Sequence, residues 1–371
     1  MKITYLSNTA IPSNVASSIQ IVKMCEAFSI LEHEVNLITT NASKIKSNLY
    51  EFYNVRKKFN FFKIKNFKKF PLGLRYYYFS LISIFEGIKL KSDIYITRNY
   101  FTSFLLSLIG KKTIMELHHD VSEESRIVQF IFKTTNYLNS KNIILIVAIT
   151  KSIKDHYVNK YNIKKSKILV LPSGSSIEKK FSFNLNKKFF KIGYFGSIYK
   201  SRGSEMIINL AKIDKRNKYF IYGNLENNER LIKKYKQNRN IIMKNYVPYK
   251  EIPKNLEKMD ILIMPYVSSI TVAGNVGNIT KFTSPLKLFD YLCAGRIIMC
   301  SDFNVLKETL TDKKNAIFIK NYKNPYSWKL EIDKIFYSRE KQFIISKNNY
   351  NLSKNFSLRI RAKKILENIK I

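Results

Sequence analysis

Three places along the chain hold residues whose types and spacing suit chemistry. The first is Thr283 to Asp302, TSPLKLFDYLCAGRIIMCSD. Small residues around Pro285 lead into an apolar pattern, Leu286, Leu288, Phe289, Tyr291 and Leu292, that predicts a short helix, and Gly295 breaks it before the apolar run Ile297 to Cys300. The first turn of such a helix offers free backbone N–H groups and the positive dipole end, which suit a phosphate, and Asp290 follows as a hydrogen-bond acceptor. The second place is GSIYKSRG, where Gly196 and Gly203 flank Arg202, so that an anion could meet backbone N–H groups and a guanidinium together. The third is His118-His119-Asp120, just past the apolar run Thr113 to Leu117, which gathers two of only four histidines at the end of a strand. A sugar nucleotide carries both a diphosphate and ribose hydroxyls, the two groups that the first place could meet. Each stretch also reads as an ordinary turn, helix or strand.

The elements that must position these residues follow in order. Met1 to Ser7 predicts a buried strand, Asn8 to Ser18 a polar loop with Pro12 and the small run Ala16-Ser17-Ser18, Ile19 to Phe28 a helix, and Glu34 to Thr39 a second strand. No G-x-G-x-x-G occurs there, which argues against a dinucleotide site. Asp93 to Thr97, Thr113 to Leu117, Ile143 to Ile149 and Ile168 to Leu171 read as further strands, and Thr150 is placed to cap a helix running to about Tyr161. After a polar linker, Glu178 to Lys188, the alternation resumes with strands at Lys191, Tyr219, Ile241, Ile261 and Ile297. Val267 to Phe282, with Gly274 and Gly277, reads as a loop, and Trp328 to Tyr337 and Ser357 to Ile369 as closing helices. Strand and helix alternating in both halves predict two doubly wound parallel sheets, in domains 1–187 and 188–371, with the last helix, 357–371, a candidate to pack back on the first domain.

Composition bounds the class. A chain of 371 residues with 45% hydrophobic content suits two domains and argues against wholesale disorder. The formal charge of +38 would suit nucleic acid, anionic lipid or a polyanion, but Lys, Asn, Ile, Phe and Tyr all have AT-rich codons, so global charge identifies no partner. More local is the stretch 50–91, where Phe and Tyr interleave with Lys and Arg. Such a mixture fits contact with an anionic membrane surface, stacking on single-stranded nucleic acid, or simply a helical region with solvated lysines. Cys25, Cys293 and Cys300 show no C-x-x-C spacing, no signal peptide is evident and no run of about twenty apolar residues occurs, so a cytoplasmic location is expected.

Several separated motifs in order resemble a family 4 glycosyltransferase of the GT-B fold. PSNVASSIQIVKMCEAF with LEHEVNLIT resembles that family's first loop, helix and second strand, ELHHD its segment with an active-site His, and ILVLPSG the end of its first domain. GSIYKSRG resembles its G-R-L-x-x-x-K-G loop, and SPLKLFDYLCAGRIIMCSD its donor-site helix and strand. The resemblance implies two Rossmann-like domains facing a cleft and sugar transfer from a nucleotide sugar to a hydroxyl, with retention of configuration. It implies donor-diphosphate contacts at Gly196, Ser197, Arg202, Ser284, Leu286 and Lys287, a ribose contact at Asp290, and catalytic roles for His118 or, failing it, His119. Ser17 and Ser18 take the place of the family's loop glycines near the donor. Arg202 replaces the family's phosphate-binding Lys and Ser197 its second cation. Asp290 replaces the second Glu of E-x7-E, and Phe282 stands where the first Glu is usual.

Neither a cofactor nor a metal is expected, protein cations taking the place of a divalent ion. The expected acceptor is a lipid-linked or saccharide precursor of surface polysaccharide, lipopolysaccharide or glycolipid, with peripheral membrane contact through 50–91 and no nucleic-acid partner. A GT-B-fold sugar-nucleotide epimerase, a basic nucleic-acid-binding protein and a degenerate, non-catalytic member are the competing readings.

Overall fold

Short runs rich in Ile, Val, Leu and Tyr alternate with amphipathic helices, and the runs assemble into two all-parallel sheets. A computed structural model describes the chain apart from residues 42–44, 66–70, 184–187, 199–201, 226–231, 234, 236–237, 268–279 and 370–371. Most of the loop expected at Val267 to Phe282, with Gly274 and Gly277, therefore lies outside the described residues, as does the middle of GSIYKSRG. The chain divides into two units, Met1–Gly174 with Leu358–Ile371, and Ser175–Ser357.

The first unit contains β1 (Lys2–Ala10), β2 (Glu34–Thr40), β3 (Asn60–Ile64), β4 (Ile94–Thr97), β5 (Thr113–Leu117), β6 (Ile143–Ala148) and β7 (Ile168–Val170). They lie in the order β3-β2-β1-β4-β5-β6-β7. Parallel strands are covered on both faces, which is why β6 is the unbroken apolar run IILIVA and every residue of β4 and β5 is buried. On one face the helix Ala16–Ile30 buries Ile21, Met24, Cys25 and Phe28 together with Leu358, Ala362 and Ile365 of the closing helix, Leu358–Glu367. Thr150 caps the helix Lys151–Tyr161, its hydroxyl accepting from the Ile153 N–H at 3.2 Å. Strand order reverses between β1 and β4, and in such sheets ligands bind beyond the strand C-termini at that point. Arg98 follows β4 there, and His118 follows β5.

The second unit has β8 (Lys191–Phe195), β9 (Lys218–Tyr222), β10 (Ile241–Lys244), β11 (Ile261–Met264), β12 (Ile297–Ser301) and β13 (Ile317–Ile319) in the order β10-β9-β8-β11-β12-β13. Its switch point lies between β8 and β11. Gly196 follows the first of these strands, and Pro265 and Tyr266 follow the second. One core gathers Trp328, Ile332, Leu210 and Met299, and a second gathers Leu288, Leu292, Ile298 and Leu306.

Two differences from the sequence reading have physical causes. Residues 60–64, inside the stretch for which a helical region is one of three readings, form β3, an edge strand whose exposed Asn60, Phe62 and Lys63 hide any apolar run. The units divide at Gly174/Ser175, ahead of the 187/188 boundary, because residues 175–183 are tied into the second unit. Ser175 bridges Ser357, Phe181 packs on Phe343 and Tyr350, and the Arg296 guanidinium donates to the Ser182 carbonyl.

Candidate functional site

The helix Leu286–Ala294 connects β11 to β12 and holds its place by burying Leu288, Phe289, Tyr291 and Leu292, each worth on the order of 2 kcal/mol. That anchoring makes a cap unnecessary. Pro285 occupies the cap position and offers no side-chain acceptor; the Leu288 N–H donates to the Pro285 carbonyl at 3.0 Å, and among the described residues no side chain caps the Leu286 and Lys287 N–H groups at the positive end of the helix dipole. The second helix beside the switch point, Ser204–Ile213, also starts without a side-chain cap, after Gly203.

Two glycines allow this region to close up. Gly203 has φ +79°, and a Cβ there would lie 1.6 Å from the Pro265 carbonyl oxygen. Gly196 has φ +144°, and its Cβ would stand 2.6 Å from the Lys287 Nζ. Lys287 therefore reaches directly over the Gly196 backbone. Its Nζ is buried and has no hydrogen-bond partner among the described residues. It lies 4.0 Å from the ring centre of Tyr194 and 5.8 Å from that of Tyr266, while the Arg202 guanidinium lies 5.5 Å from the same Tyr266 ring. The tyrosine faces moderate the cost of burying the cations without filling the N–H positions. Burial first and the Arg202 charge second hold the Lys287 amine well below its ordinary pKa. An anion placed here would answer both cations. The geometry thus brings together Gly196, Arg202 and Lys287, with Ser284 and Leu286 at the start of the same helix.

Ser197 is occupied differently. Its hydroxyl pairs with the Tyr246 hydroxyl at 3.0 Å, and its carbonyl accepts from Tyr194 at 2.7 Å. Asp290, one turn into the helix, is half-buried and accepts from the Ser175 hydroxyl at 2.6 Å. Burial pushes its carboxyl up to about 7, against the Ser175 hydrogen bond, which lowers it. Phe282 is half-buried just before the helix. Ser175, Tyr194 and Tyr266 carry no signal of a site in the sequence. The two tyrosines lie within or beside apolar runs, where an aromatic residue reads as core.

The remaining residues belong to the first unit. Burial chiefly, and the Arg98 charge next, push His118 down to about 3. Its Nε2 lies 3.8 Å from Glu116, too far for a hydrogen bond. His119 pairs through Nε2 with Glu124 at 2.9 Å, and its carbonyl accepts from the Tyr100 and Tyr157 hydroxyls. The Ser18 hydroxyl donates to the carbonyls of Ser13 and Val15 at 2.7 Å, fastening the loop before its helix, and Ser17 is half-buried beside it. Among the described residues, no group of three or more His, Cys, Asp or Glu side chains is gathered to hold a metal ion.

Comparison with known proteins bears on the fold and on the second unit. None of the curated proteins matches the chain in sequence. Solved structures match nearly its whole length. Sucrose-phosphate synthase from Thermosynechococcus elongatus aligns with a TM-score of 0.72 at 11% identity, covering 99% of this chain and 98% of its own. HepE of Anabaena, solved with UDP and glucose, gives 0.69 at 12% identity, with 99% and 98% covered. WaaG, a glycosyltransferase involved in lipopolysaccharide biosynthesis, gives 0.66 at 12%, with 99% of each chain covered. Residues 175–352, the span that carries Gly196, Arg202, Lys287 and Asp290, match the family described as glycosyl transferases group 1, and the whole chain has the GT-B fold of two Rossmann-like domains.

Proposed function

We propose that the protein is a nucleotide-sugar-dependent glycosyltransferase of family 4 that transfers a hexose to a hydroxyl acceptor with retention of configuration. The observation that carries this reading is the buried, unpartnered Lys287 Nζ over the positive-φ Gly196, beside Arg202 and an uncapped helix start. In the reaction the bond from the anomeric carbon to the diphosphate breaks, a bond from that carbon to the acceptor oxygen forms, and the acceptor hydroxyl's proton passes to the departing diphosphate. Negative charge grows on the departing nucleoside diphosphate, and Arg202, Lys287 and the first-turn N–H groups would stabilise it, each such donor being worth roughly 10²–10³ in rate. Asp290 would accept from the ribose hydroxyls. His118 would face the transferred sugar as a neutral imidazole. HepE was solved with UDP-glucose, which makes a UDP-sugar the first donor to test. Thermal shift of the full chain against UDP-, GDP-, ADP- and CMP-sugars should show stabilisation by one of them. Arg202→Ala should weaken that binding about 10- to 100-fold. Wild-type binding in both Arg202→Ala and Asp290→Ala would sink the donor assignment.

One observation favours an acceptor held at a membrane, as in surface polysaccharide, lipopolysaccharide or glycolipid synthesis. The helix Leu72–Lys89 has a buried side with Phe79 and Ile84, yet Leu74, Leu81, Phe85 and Ile88 are exposed. Their spacings of seven, four and three residues put them in one outward stripe. Lys89 sits 4.1 Å from the Phe85 ring centre, at the edge of that stripe. An exposed apolar stripe with a lysine at its edge, here paired with Glu86 at 2.9 Å, suits the interface of a bilayer. No described helix is long and apolar enough to cross one. Co-sedimentation with phosphatidylglycerol vesicles, and little with phosphatidylcholine, is expected, falling roughly tenfold in Leu81→Glu/Phe85→Glu. Equal pelleting of the double variant would remove the stripe from the account.

A further inference from the structure

The first unit holds a second set of cations, Arg98 and Arg361, neither of them assigned to the donor. Glu116, the fourth residue of β5, is 1% exposed. Its Oε2 accepts from the Tyr5 hydroxyl at 2.6 Å and from Arg98 Nε at 3.0 Å, and its Oε1 from Arg361 Nη1 at 2.7 Å. Arg361 reaches in from the closing helix and also donates to the Pro172 carbonyl at 3.0 Å. Among the described residues two guanidinium groups share one carboxylate, so the cluster keeps an unbalanced positive charge in a buried place. Buried charge is ordinarily paired, because leaving it unpaired costs several kcal/mol.

The hydrogen bonds are unbalanced in the same direction. Arg98 Nη2, Arg361 Nη2, His118 Nε2 and Gln20 Nε2 are all buried with no partner among the described residues. Gln20 belongs to the same neighbourhood, since its Oε1 faces the Ser173 hydroxyl at 3.3 Å, one residue on from the carbonyl that holds Arg361. Tethering the closing helix explains Arg361 Nη1 and Nε. It explains neither the Nη2 atoms nor the presence of Arg98, whose Nε shares the oxygen already taken by Tyr5. The cluster also borders solvent, because the Arg98 and His118 side chains keep 15% and 21% of their surface exposed.

We propose that Arg98 and Arg361, with Gln20 and the Nε2–H tautomer of His118, form an oxyanion-binding site that receives a phosphate or carboxylate group of the acceptor. Guanidinium N–H groups in a fixed fork match the oxygens of either group. The position, past the ends of β4 and β5 at the switch point of this sheet, is where an α/β unit binds ligands. The word acceptor rests on the glycosyltransferase reading; binding of the anion does not.

The test uses the full chain with ¹⁵N-labelled arginine side chains, titrated with inorganic phosphate and separately with acetate, chloride keeping the ionic strength constant. The Nε–H resonances of Arg98 and Arg361, assigned with Arg98→Lys and Arg361→Lys, should move together and saturate. The anion that saturates them at lower concentration identifies the group recognised. Arg98→Lys, with its fold checked by circular dichroism, should bind that anion at least tenfold more weakly. Resonances that stay fixed, or that drift without saturating for both anions, overturn the site. UDP-glucose binding, followed in the same samples through the Arg202 resonance, reports on the donor reading independently. Saturation at Arg98 and Arg361 without a response to any nucleotide sugar would leave the oxyanion site standing and the transferase reading fallen.

Discussion

Affinity for a sugar nucleotide is expected to pass through a maximum with pH, with its acid limb set by Asp290 and its alkaline limb by Lys287. In the free protein burial holds the Asp290 carboxyl at about 7. Ribose hydroxyls donate to the ionised carboxylate, so binding favours the charged form. Affinity must then rise with pH by up to about tenfold per unit below 7 and level off above it. Lys287 works in the other direction. Burial and Arg202 depress its amine well below the ordinary lysine value, and the donor diphosphate favours the ammonium form, so affinity falls as pH rises through that depressed pKa. A sugar nucleotide suits the measurement because its esterified diphosphate does not titrate in this range. Calorimetry with UDP-glucose between pH 5.5 and 9.5 should show Asp290→Asn without the acid limb, and Lys287→Met about 100-fold weaker at the optimum without the alkaline limb. An acid limb that persists in Asp290→Asn would take Asp290 away from the ribose. Stability without ligand gives a second check. Because the folded pKa of Asp290 is raised above that of the unfolded chain, its contribution is fully present below about 3.8 and is lost as pH rises through about 7. Asp290→Asn should therefore gain on the wild type as pH goes from 5 to 8.

Where the candidate residues lie in the fold is legible in the sequence wherever the parts are local. TIMEL became a strand from Thr113 to Leu117 with both ends as read, and ELHHD therefore brought His118 to a strand end. Gly196, Arg202 and Lys287 lie in two short motifs whose glycines and cations carry their own signal. What stayed hidden depends on distance along the chain. Ser175 meets Asp290 across 115 residues, and Arg361 meets Glu116 across 245. No spacing rule covers such pairs. Glu116 did leave one sign, a lone carboxylate inside a strand whose every residue is buried, since a buried acid requires partners from elsewhere in the fold. β3 was missed because a mostly exposed edge strand displays no buried face to the sequence.

Glu116 is also where a single substitution should cost the first unit most. Glu116→Leu removes the one carboxylate that, among the described residues, pairs with Arg98 and Arg361, leaving two guanidinium groups without that counter-charge where water is largely excluded. The expected loss is about 3–5 kcal/mol, the range for breaking a buried pair by deleting one partner. Glu116→Gln keeps a carbonyl acceptor but not the charge and should lose less. Burial alone would raise the Glu116 pKa. Arg361 and then Arg98 overcome that effect and hold it well below the usual carboxylate range. A depressed folded pKa means that the stabilisation is present above the unfolded value of about 4.5 and disappears only as pH falls through the folded one. The advantage of wild type over Glu116→Gln should accordingly be flat from pH 8 to 5. The single tryptophan, Trp328, is buried in the second unit, so its fluorescence reports that unit while circular dichroism reports both. In urea, Glu116→Leu should unfold part of its helical signal early while the Trp328 transition holds its midpoint. If the early phase is missing and the midpoints match wild type, Glu116 is not what holds these two arginines in the fold.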